Sequence, residues 1–310
     1  MAEILQKDGT WAFDGDTIRI VPGRERGVHL LRQTLGELAV PLTAVAGIAF
    51  EPGRKGGRLR LRPRDGADPL AQAVRGRLPD GADPYQLAVE PGRTGVAEYL
   101  VDEVRNALLL EQVPDGPTDR YLLPGPAVPL SVGAGDGTVS FDGEWVRLEW
   151  NWMTEEGKKS AGTRTFPVGD IQSVEWLPSH GLENGYLRFV LVKGATKAPP
   201  KHDPHAIELY GFKKDPLMAL VAAAVLARLP HPSGAGAADR PAPATSLPPG
   251  APATSAAPVT DGTPSSDSPG AAADHDALLR RLRELGELHQ SGILTAEEFA
   301  AAKQAILKRF

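Results

Sequence analysis

One long internal repeat dominates the 310-residue sequence. GTWAFDGDTIRI at residues 9–20 returns as GTVSFDGEWVRL at residues 137–148, and the agreement continues in the same order. Two further matching pairs are VPLTAVAGIAFEPG (40–53) with FPVGDIQSVEWLPS (166–179), and DPYQLAV (83–89) with DPHAIEL (203–209). Solenoid proteins repeat about every 20–50 residues, so this much longer spacing indicates that a whole domain has been duplicated.

Apolar and polar residues alternate within each repeat, which is typical of strands with one buried face. Ile18 and Ile20, for example, flank Arg19. Asp-Gly sequences between such runs predict tight hairpin turns, because these residues tolerate positive φ. Each repeat ends in an alanine- and leucine-rich stretch with apolar residues at helical spacing, at 94–110 and 215–229. We therefore predict an α+β fold in which each repeat has six or seven short antiparallel strands and one amphipathic closing helix.

The composition excludes several classes of site and partner. The chain has no cysteine, which rules out disulfides, thiolate zinc sites and a cysteine nucleophile. Its formal net charge of −5 is mild, and no nucleic-acid partner is expected. The N-terminus lacks the apolar core of a secretory signal, and the longest apolar stretch, 217–229, is shorter than the ~20 residues that cross a bilayer. We expect a cytoplasmic protein.

No enzyme signature stands out in the sequence. GAGDG at residues 133–137 precedes a predicted strand, whereas a dinucleotide loop leads from a strand into a helix, so we interpret it as linker. His202 and His205 flank a proline that prevents a helical metal-binding face, and the first repeat has no histidine at the matching place. We predict no catalytic residue, no metal site and no cofactor.

The paired FDG sequences, the proline-bounded middle sections and the closing helices resemble a bacterial domain of unknown function that usually occurs in tandem in actinobacteria. The resemblance covers roughly residues 8–112 and 136–230. It implies a pleckstrin-homology-like fold, in which an antiparallel β unit is closed by a C-terminal helix, and it brings no catalytic residues. We place the first repeat and the joint that follows it at 1–125 and the second repeat at 126–230. The proline-rich joint either packs on the repeats or stays free.

Residues 231–273 consist mainly of proline, alanine, glycine, serine and threonine. Such a segment cannot bury enough apolar surface to offset its ordering entropy, so we predict a disordered tether. The final segment, 274–310, resembles the short C-terminal domain called SHOCT, a helical hairpin. The residues that carry this resemblance are Leu285, Gly292, Ile293, Thr295, Glu298, Phe299 and Lys303.

The final segment is too short to form a stable core alone, since domains below about 40 residues usually need a staple or a partner. Its apolar residues fall on one stripe of each predicted helix. We predict that these residues make the protein self-associate: Leu278, Leu282, Leu285, Leu288, Phe299 and Ile306.

Basic residues form two candidate surfaces for an anionic ligand or lipid. The connection after the second predicted strand of each repeat carries the first group: Arg24, Arg26 and Arg32, with Lys158, Lys159 and Arg164 in the second repeat. Strand alternation places a second group on one face: Arg58, Arg60 and Arg62. The alternatives are a solvated loop and a strand edge that charge protects from aggregation.

Trp150 and Trp152 lie on the same side of a predicted strand end and form a candidate protein interface, since aromatic residues are enriched there. The alternative is that Trp150 belongs to the core and Trp152 covers its rim.

Two functional hypotheses follow. The first is a non-enzymatic scaffold or adaptor, in which two binding modules are tethered to an oligomerising tail that brings protein partners together. The second is a peripheral membrane protein, in which the basic loops dock on anionic lipid at the inner membrane face.

Overall fold

The computed structural model describes residues 1–181, 183–194, 196 and 198–235. The predicted tether from residue 236 onward, the SHOCT-like segment and its oligomerisation residues lie outside the described residues. The described part contains two repeats of the same plan, as the sequence predicted.

Seven strands and three helices form the first repeat. They are β1 (Ala2–Gln6), β2 (Gly9–Phe13), β3 (Thr17–Pro22), α1 (Leu30–Leu35), β4 (Leu38–Pro41), β5 (Val45–Gly53), β6 (Gly56–Pro63), α2 (Pro69–Val74), β7 (Gln86–Val89) and α3 (Thr94–Leu110). Strands β1 to β4 pair in sequence order as one antiparallel sheet, and β5 to β7 pair as a second.

The second repeat has the same order of strands, followed by its own helix. Its elements are β8 (Leu130–Ala134), β9 (Gly137–Phe141), β10 (Trp145–Trp150), α4 (Glu156–Ser160), β11 (Arg164–Pro167), β12 (Ile171–Leu177), β13 (Gly185–Leu191), β14 (Ala206–Leu209), α5 (Met218–Leu226) and the one-turn α6 (Pro232–Ala235). Strands β8 to β11 and β12 to β14 form antiparallel sheets of four and three. The predicted α+β class with antiparallel strands is confirmed.

Matching residues have matching places in the two repeats. Ile18 and Val146 are both fully buried in the third strand, where each faces a residue of the second strand across the sheet. Leu87 and Ile207 are buried in the last strand of each repeat. This agreement confirms the register that we inferred by aligning the repeats.

The predicted Asp-Gly turns also form. Asp14 Oδ1 accepts hydrogen bonds from the backbone N–H groups of Asp16 and Thr17, at 3.0 and 2.8 Å. Asp142 makes the matching pair of bonds at the second hairpin. Gly15 and Gly143 follow at φ +118° and +115°, which L side chains rarely adopt. These carboxylates therefore act locally, as turn residues.

The apolar core of the second repeat extends into the first. Buried residues of β8 to β14 and α5 cluster with Leu31 of α1 and with Leu70, Ala73 and Val74 of α2. Helix α2 packs directly on α5. The two repeats are therefore joined by a common hydrophobic core, in addition to the chain that connects them.

The joint between the repeats packs on the first repeat. Leu123 is buried, and the N–H groups of Leu122 and Leu123 donate to the carbonyl of Ala67. The chain after α5 returns to the same place, where the ring of His231 packs edge-on against Tyr121 with centroids 4.8 Å apart. Of the two alternatives for the joint, the packed one is correct.

Candidate functional site

A cleft of about 400 Å³ opens in the first repeat, beside two of the predicted basic groups. The β1–β2 turn, the β3–α1 connection, β6 and the 3-10 turn before β7 surround it. Its charged lining residues are Lys7, Asp8, Glu25, Arg32, Arg58 and Asp80. The structure thus brings Arg32 and Arg58, which the sequence placed in separate groups, to the same cleft.

The inner wall of the cleft is a buried ion pair. Arg32 of α1 is only 3% exposed, and its Nη1 donates to Asp8 Oδ1 at 2.7 Å while Nη2 donates to the Asp8 carbonyl at 3.1 Å. The other carboxylate oxygen of Asp8 accepts from the N–H of Ala88 in β7 at 3.3 Å. This pair therefore ties α1, the β1–β2 turn and β7 together. Arg32 is almost fully buried whereas Asp8 is 28% exposed, so removing Asp8, which leaves the Arg32 charge buried alone, is the more costly change, by about 3–5 kcal/mol.

The outer wall carries an exposed ion pair. Arg58 of β6 donates to Asp80 Oδ2 at 2.5 Å, and both side chains are substantially exposed to solvent. The hydrogen bond and the charge of Arg58 lower the pKa of Asp80. Exposed pairs of this kind contribute little stability, so Arg58 can exchange its partner for a ligand at small cost.

The second repeat has the same inner wall with a different cation. Lys158 of α4 is fully buried, and its Nζ donates to Asp136 Oδ2 at 2.5 Å and to the carbonyl of Pro200 at 3.2 Å. The ammonium also lies 4.8 Å from the ring centroid of Trp150. Asp136 corresponds to Asp8 in the repeat alignment, and its second oxygen accepts from the N–H of Glu208, the counterpart of Ala88. Burial raises the pKa of Asp136, an effect that the Lys158 charge opposes.

In the second repeat, an ion pair between two residues of the chain closes the region that corresponds to the cleft. Lys201 Nζ lies 2.6 Å from Glu155 Oε1, joining the 3-10 turn before β14 to the residue that precedes α4. In the first repeat the residue matching Lys201 is Gly81, which has no atom within 4 Å of the position of a Cβ. Gly27, which precedes α1 and lines the cleft, is open in the same way. The cleft of the first repeat is therefore open at the position where the Lys201–Glu155 ion pair closes the second repeat.

The predicted anion-binding residues fall into two groups. Arg24 and Arg26 are exposed beside the cleft, and Arg62 is exposed on β6. Arg60 is paired with Glu51 across the strands at 3.2 Å. These residues remain candidates for an anionic partner, and Arg58, Arg60 and Arg62 do share the outer face of β6, since Leu59 and Leu61 between them are buried.

Arg32 and Lys158 do not belong to a solvent-facing, anion-binding surface, so this part of the prediction is wrong. Both are buried and paired with an aspartate of their own repeat, so neither presents its charge to an external ligand. Sequence alone placed them in exposed loops, because the short helices α1 and α4 that turn them inward were not predicted. Of the remaining residues of this group, Lys159 donates to the carbonyl of Trp152 at 3.0 Å. Arg164 lies against His205, with 3.3 Å between their nitrogens.

The two tryptophans of the predicted interface differ in exposure. Trp150 packs against the core of the second repeat, and its indole N–H donates to the carbonyl of Gly162 at 2.8 Å. Trp152 is 51% exposed. Their role as a protein interface stays a prediction.

The two aspartates that anchor the inner walls, Asp8 and Asp136, were not among the predicted site residues. The GAGDG stretch that we interpreted as linker contains the end of β8 and the β8–β9 turn, so that interpretation is wrong. Gly135 has φ +57°, and a Cβ there would overlap the carbonyl of Glu208, so the turn requires glycine. The signal was present, because an aspartate directly precedes the glycine that opens the aligned stretch in both repeats, at Asp8 and Asp136.

Over the described part of the chain, no group of three or more histidine, aspartate or glutamate side chains could hold a metal ion. His205, one of the two histidines weighed for this role, instead stacks edge-on against Phe166, and burial lowers its pKa. No helix among the described residues is long and apolar enough to cross a membrane.

Two family models match the chain. The model described as domain of unknown function DUF4429 matches residues 11–105 and 139–226, and the model described as short C-terminal domain, SHOCT, matches residues 280–307. No curated protein matches the chain. The two DUF4429 matches coincide with the two structural repeats and together span more than half of the sequence. The chain therefore belongs to the DUF4429 family, with two copies of that domain followed by a SHOCT domain.

Proposed function

We propose that this protein is a non-enzymatic adaptor, in which two pleckstrin-homology-like modules present a binding surface and the SHOCT tail assembles several chains. The observation that carries the proposal is the domain order: two DUF4429 copies joined by a common core, followed by a SHOCT domain. The pleckstrin-homology-like assignment rests on the arrangement of each repeat, with four strands, three strands and a closing helix.

A shared core suits an adaptor because it fixes the spacing of the two modules. A tail that self-associates then multiplies the number of surfaces presented together. Linking binding sites raises apparent affinity through effective concentration, without any new contact. The Pro/Ala/Gly/Ser composition between the repeats and the tail fits a tether that lets each module reach its partner.

Light scattering of the full-length chain tests the assembly step. We expect an oligomer at micromolar concentration, because burying each leucine of the stripe stabilises association by roughly 1.5–3 kcal/mol. Changing Leu282 and Leu285 to Asp, or deleting residues 274–310, should give a monomer with unchanged circular dichroism of the repeats. A monomeric wild-type chain would contradict self-association as the basis of the adaptor.

Co-sedimentation with lipid vesicles distinguishes the adaptor from the rival function, docking on anionic lipid. The full-length chain is mixed with vesicles of phosphatidylglycerol and phosphatidylcholine at low and at high salt. The adaptor proposal expects the chain to stay in the supernatant at both salt concentrations, whereas salt-sensitive sedimentation favours the membrane function.

A further inference from the structure

The two repeats provide an internal comparison for the cleft. In the second repeat, a carboxylate supplied by the chain, that of Glu155, reaches across to a cation on the facing wall, Lys201. In the first repeat, the facing wall carries a cation at a different position, Arg58 of β6, which pairs with Asp80 of the same wall at 2.5 Å. The segment before α1 places Gly27 at the cleft, and Gly81 stands where Lys201 would be. The first repeat therefore offers a cation with no bridging carboxylate from the connection before its helix.

We propose that the cleft of the first repeat binds an acidic side chain, aspartate or glutamate, on a polypeptide segment of a partner protein. Arg58 takes the carboxylate, as Lys201 takes that of Glu155 in the second repeat. The inference rests on the proposed adaptor function and names the kind of partner that one of its modules would recognise.

The charges at the rim favour an acidic partner. Arg32 and Asp8 on the inner wall neutralise each other and are held together by hydrogen bonds. The exposed cations at or beside the rim are Lys7, Arg24, Arg26 and Arg58, and the exposed acids are Glu25, Asp80 and Glu90, of which Glu90 pairs with Lys7 at 3.2 Å. The excess of positive charge attracts an acidic segment and speeds its encounter with the cleft.

The polar groups favour a polypeptide over a lipid surface. Gln86 lines the cleft, and its side-chain carbonyl oxygen is buried without a hydrogen-bond partner among the described residues. Once the Gln86 side chain turns toward the cleft, this oxygen can accept a hydrogen bond from a backbone N–H, a group that every peptide segment carries. Glu25 and Asp80 at the rim would be repelled by a uniformly anionic membrane, whereas a peptide can place one acid between them.

A short peptide from the second repeat is the natural probe. The sequence WMTEEG, residues 152–157, contains Glu155 and the acid that follows it. A blocked, fluorescently labelled peptide of this sequence is titrated with the full-length chain, and binding is followed by fluorescence anisotropy. The matched control peptide is WMTQQG, which has the same shape without the charges. We expect the control to bind about tenfold more weakly or not at all, because the charge pair with Arg58 is lost.

Two variants locate the binding site. Arg58→Glu reverses the cation of the outer wall, and Arg62→Glu makes the same charge change on the same face of β6 outside the cleft lining. We expect Arg58→Glu to abolish peptide binding and Arg62→Glu to leave it within about twofold of wild type, since an exposed charge away from the site contributes little. Gly81→Gln narrows the cleft without changing any charge, and it should weaken binding as well. The side chain of Arg58 is 38% exposed, and Arg62 and Gly81 are exposed, so circular dichroism should show intact folds for all three variants.

The proposal is overturned if WMTEEG does not bind to the wild-type chain, or if WMTEEG and WMTQQG bind equally well. It is also overturned if Arg58→Glu and Arg62→Glu weaken peptide binding to the same extent. Sedimentation with phosphatidylglycerol vesicles that Arg58→Glu abolishes, without peptide binding, would also overturn it in favour of a lipid headgroup. If the peptide fails to bind while light scattering still shows assembly through the tail, the cleft proposal falls and the adaptor proposal stands.

Discussion

The closing helices α3 and α5 end repeats of the same plan but have different surroundings. Helix α3 buries one face, through Ala97, Leu100, Val101 and Val104, and leaves Leu109 and Leu110 mostly exposed at its end. Every residue of α5 is buried. The cause is α2, which packs on α5 and covers the side that would otherwise meet solvent. A helix without a polar face needs such cover on all sides.

Duplication therefore did not produce two independent modules. The first repeat can close its own core with an amphipathic helix. The second repeat depends on the first, because Leu70, Ala73 and Val74 of α2 belong to its core. The first two of the following predictions test this asymmetry, and the third tests the cap of α2.

A charge in α5 should have the largest effect. Ala223 is fully buried, so Ala223→Asp places a carboxylate where no partner is available. We expect a loss of about 4 kcal/mol or more in the free energy of unfolding, or no folded protein at all. The matched change on the exposed side of α3, Asn106→Asp, should stay within about 0.5 kcal/mol of wild type. Urea unfolding followed by circular dichroism measures both, and similar losses for the two variants would contradict the asymmetry.

Truncating Leu70 of α2 should have the next largest effect. Its side chain is almost fully buried and belongs to the core of the second repeat. We expect Leu70→Ala to cost about 2–5 kcal/mol, the range of buried leucine truncations. Hydrogen exchange should show the loss of protection in peptides of β12 and α5 although the mutation lies in the first repeat. As a control, Leu109→Ala, at an exposed position of α3, should leave exchange unchanged. Loss confined to the first repeat would argue against a common core.

The smallest effect concerns the carboxylate that caps α2. Asp68 is buried at the N-cap, where it accepts hydrogen bonds from the N–H groups of Leu70 and Ala71 and from the hydroxyl of Tyr85. Asp68→Asn offers one acceptor oxygen in place of two, so we expect a cost of about 1 kcal/mol. The cost should also depend on pH, because burial raises the pKa of Asp68 above its ordinary value of 3.8.

The sign of this pH dependence follows from linkage. A carboxyl whose pKa is raised in the folded state stabilises the fold fully below pH 3.8, its ordinary pKa. This stabilisation is lost as the pH rises through the pKa of the folded state. Asparagine does not titrate. The destabilisation by Asp68→Asn, measured by urea unfolding, should therefore shrink between acid and neutral pH. A difference that stays constant over this range, or grows, would show that the buried carboxylate does not titrate as described.

The strands could be predicted from sequence because their signal is local. Alternation around Arg19 and the Asp-Gly turns fix buried faces and hairpins without reference to distant parts of the chain. The same logic succeeded for α3, whose apolar positions form one stripe. It failed for α5, which we predicted to be amphipathic: the nine residues MALVAAAVL contain no polar side chain, and this pattern already indicated burial on all sides.

The candidate site was less accessible to sequence reasoning. The basic residues were identified, but whether a cation faces solvent or a buried carboxylate depends on packing between distant segments. Arg32 meets Asp8, and Lys158 meets Asp136, only after a short helix folds back on the first turn of the repeat. Comparing the repeats residue by residue could have found the aspartates, whereas the open cleft beside Gly81 becomes visible only in three dimensions.

The most direct test of the common core is hydrogen exchange of the full-length chain across a urea titration, read separately in peptides of β2, in the first repeat, and of α5. We predict that α5 never keeps its protection at a urea concentration where β2 has lost its own, since α5 cannot stay buried without α2. Protection of α5 that remains after β2 has unfolded would contradict this dependence.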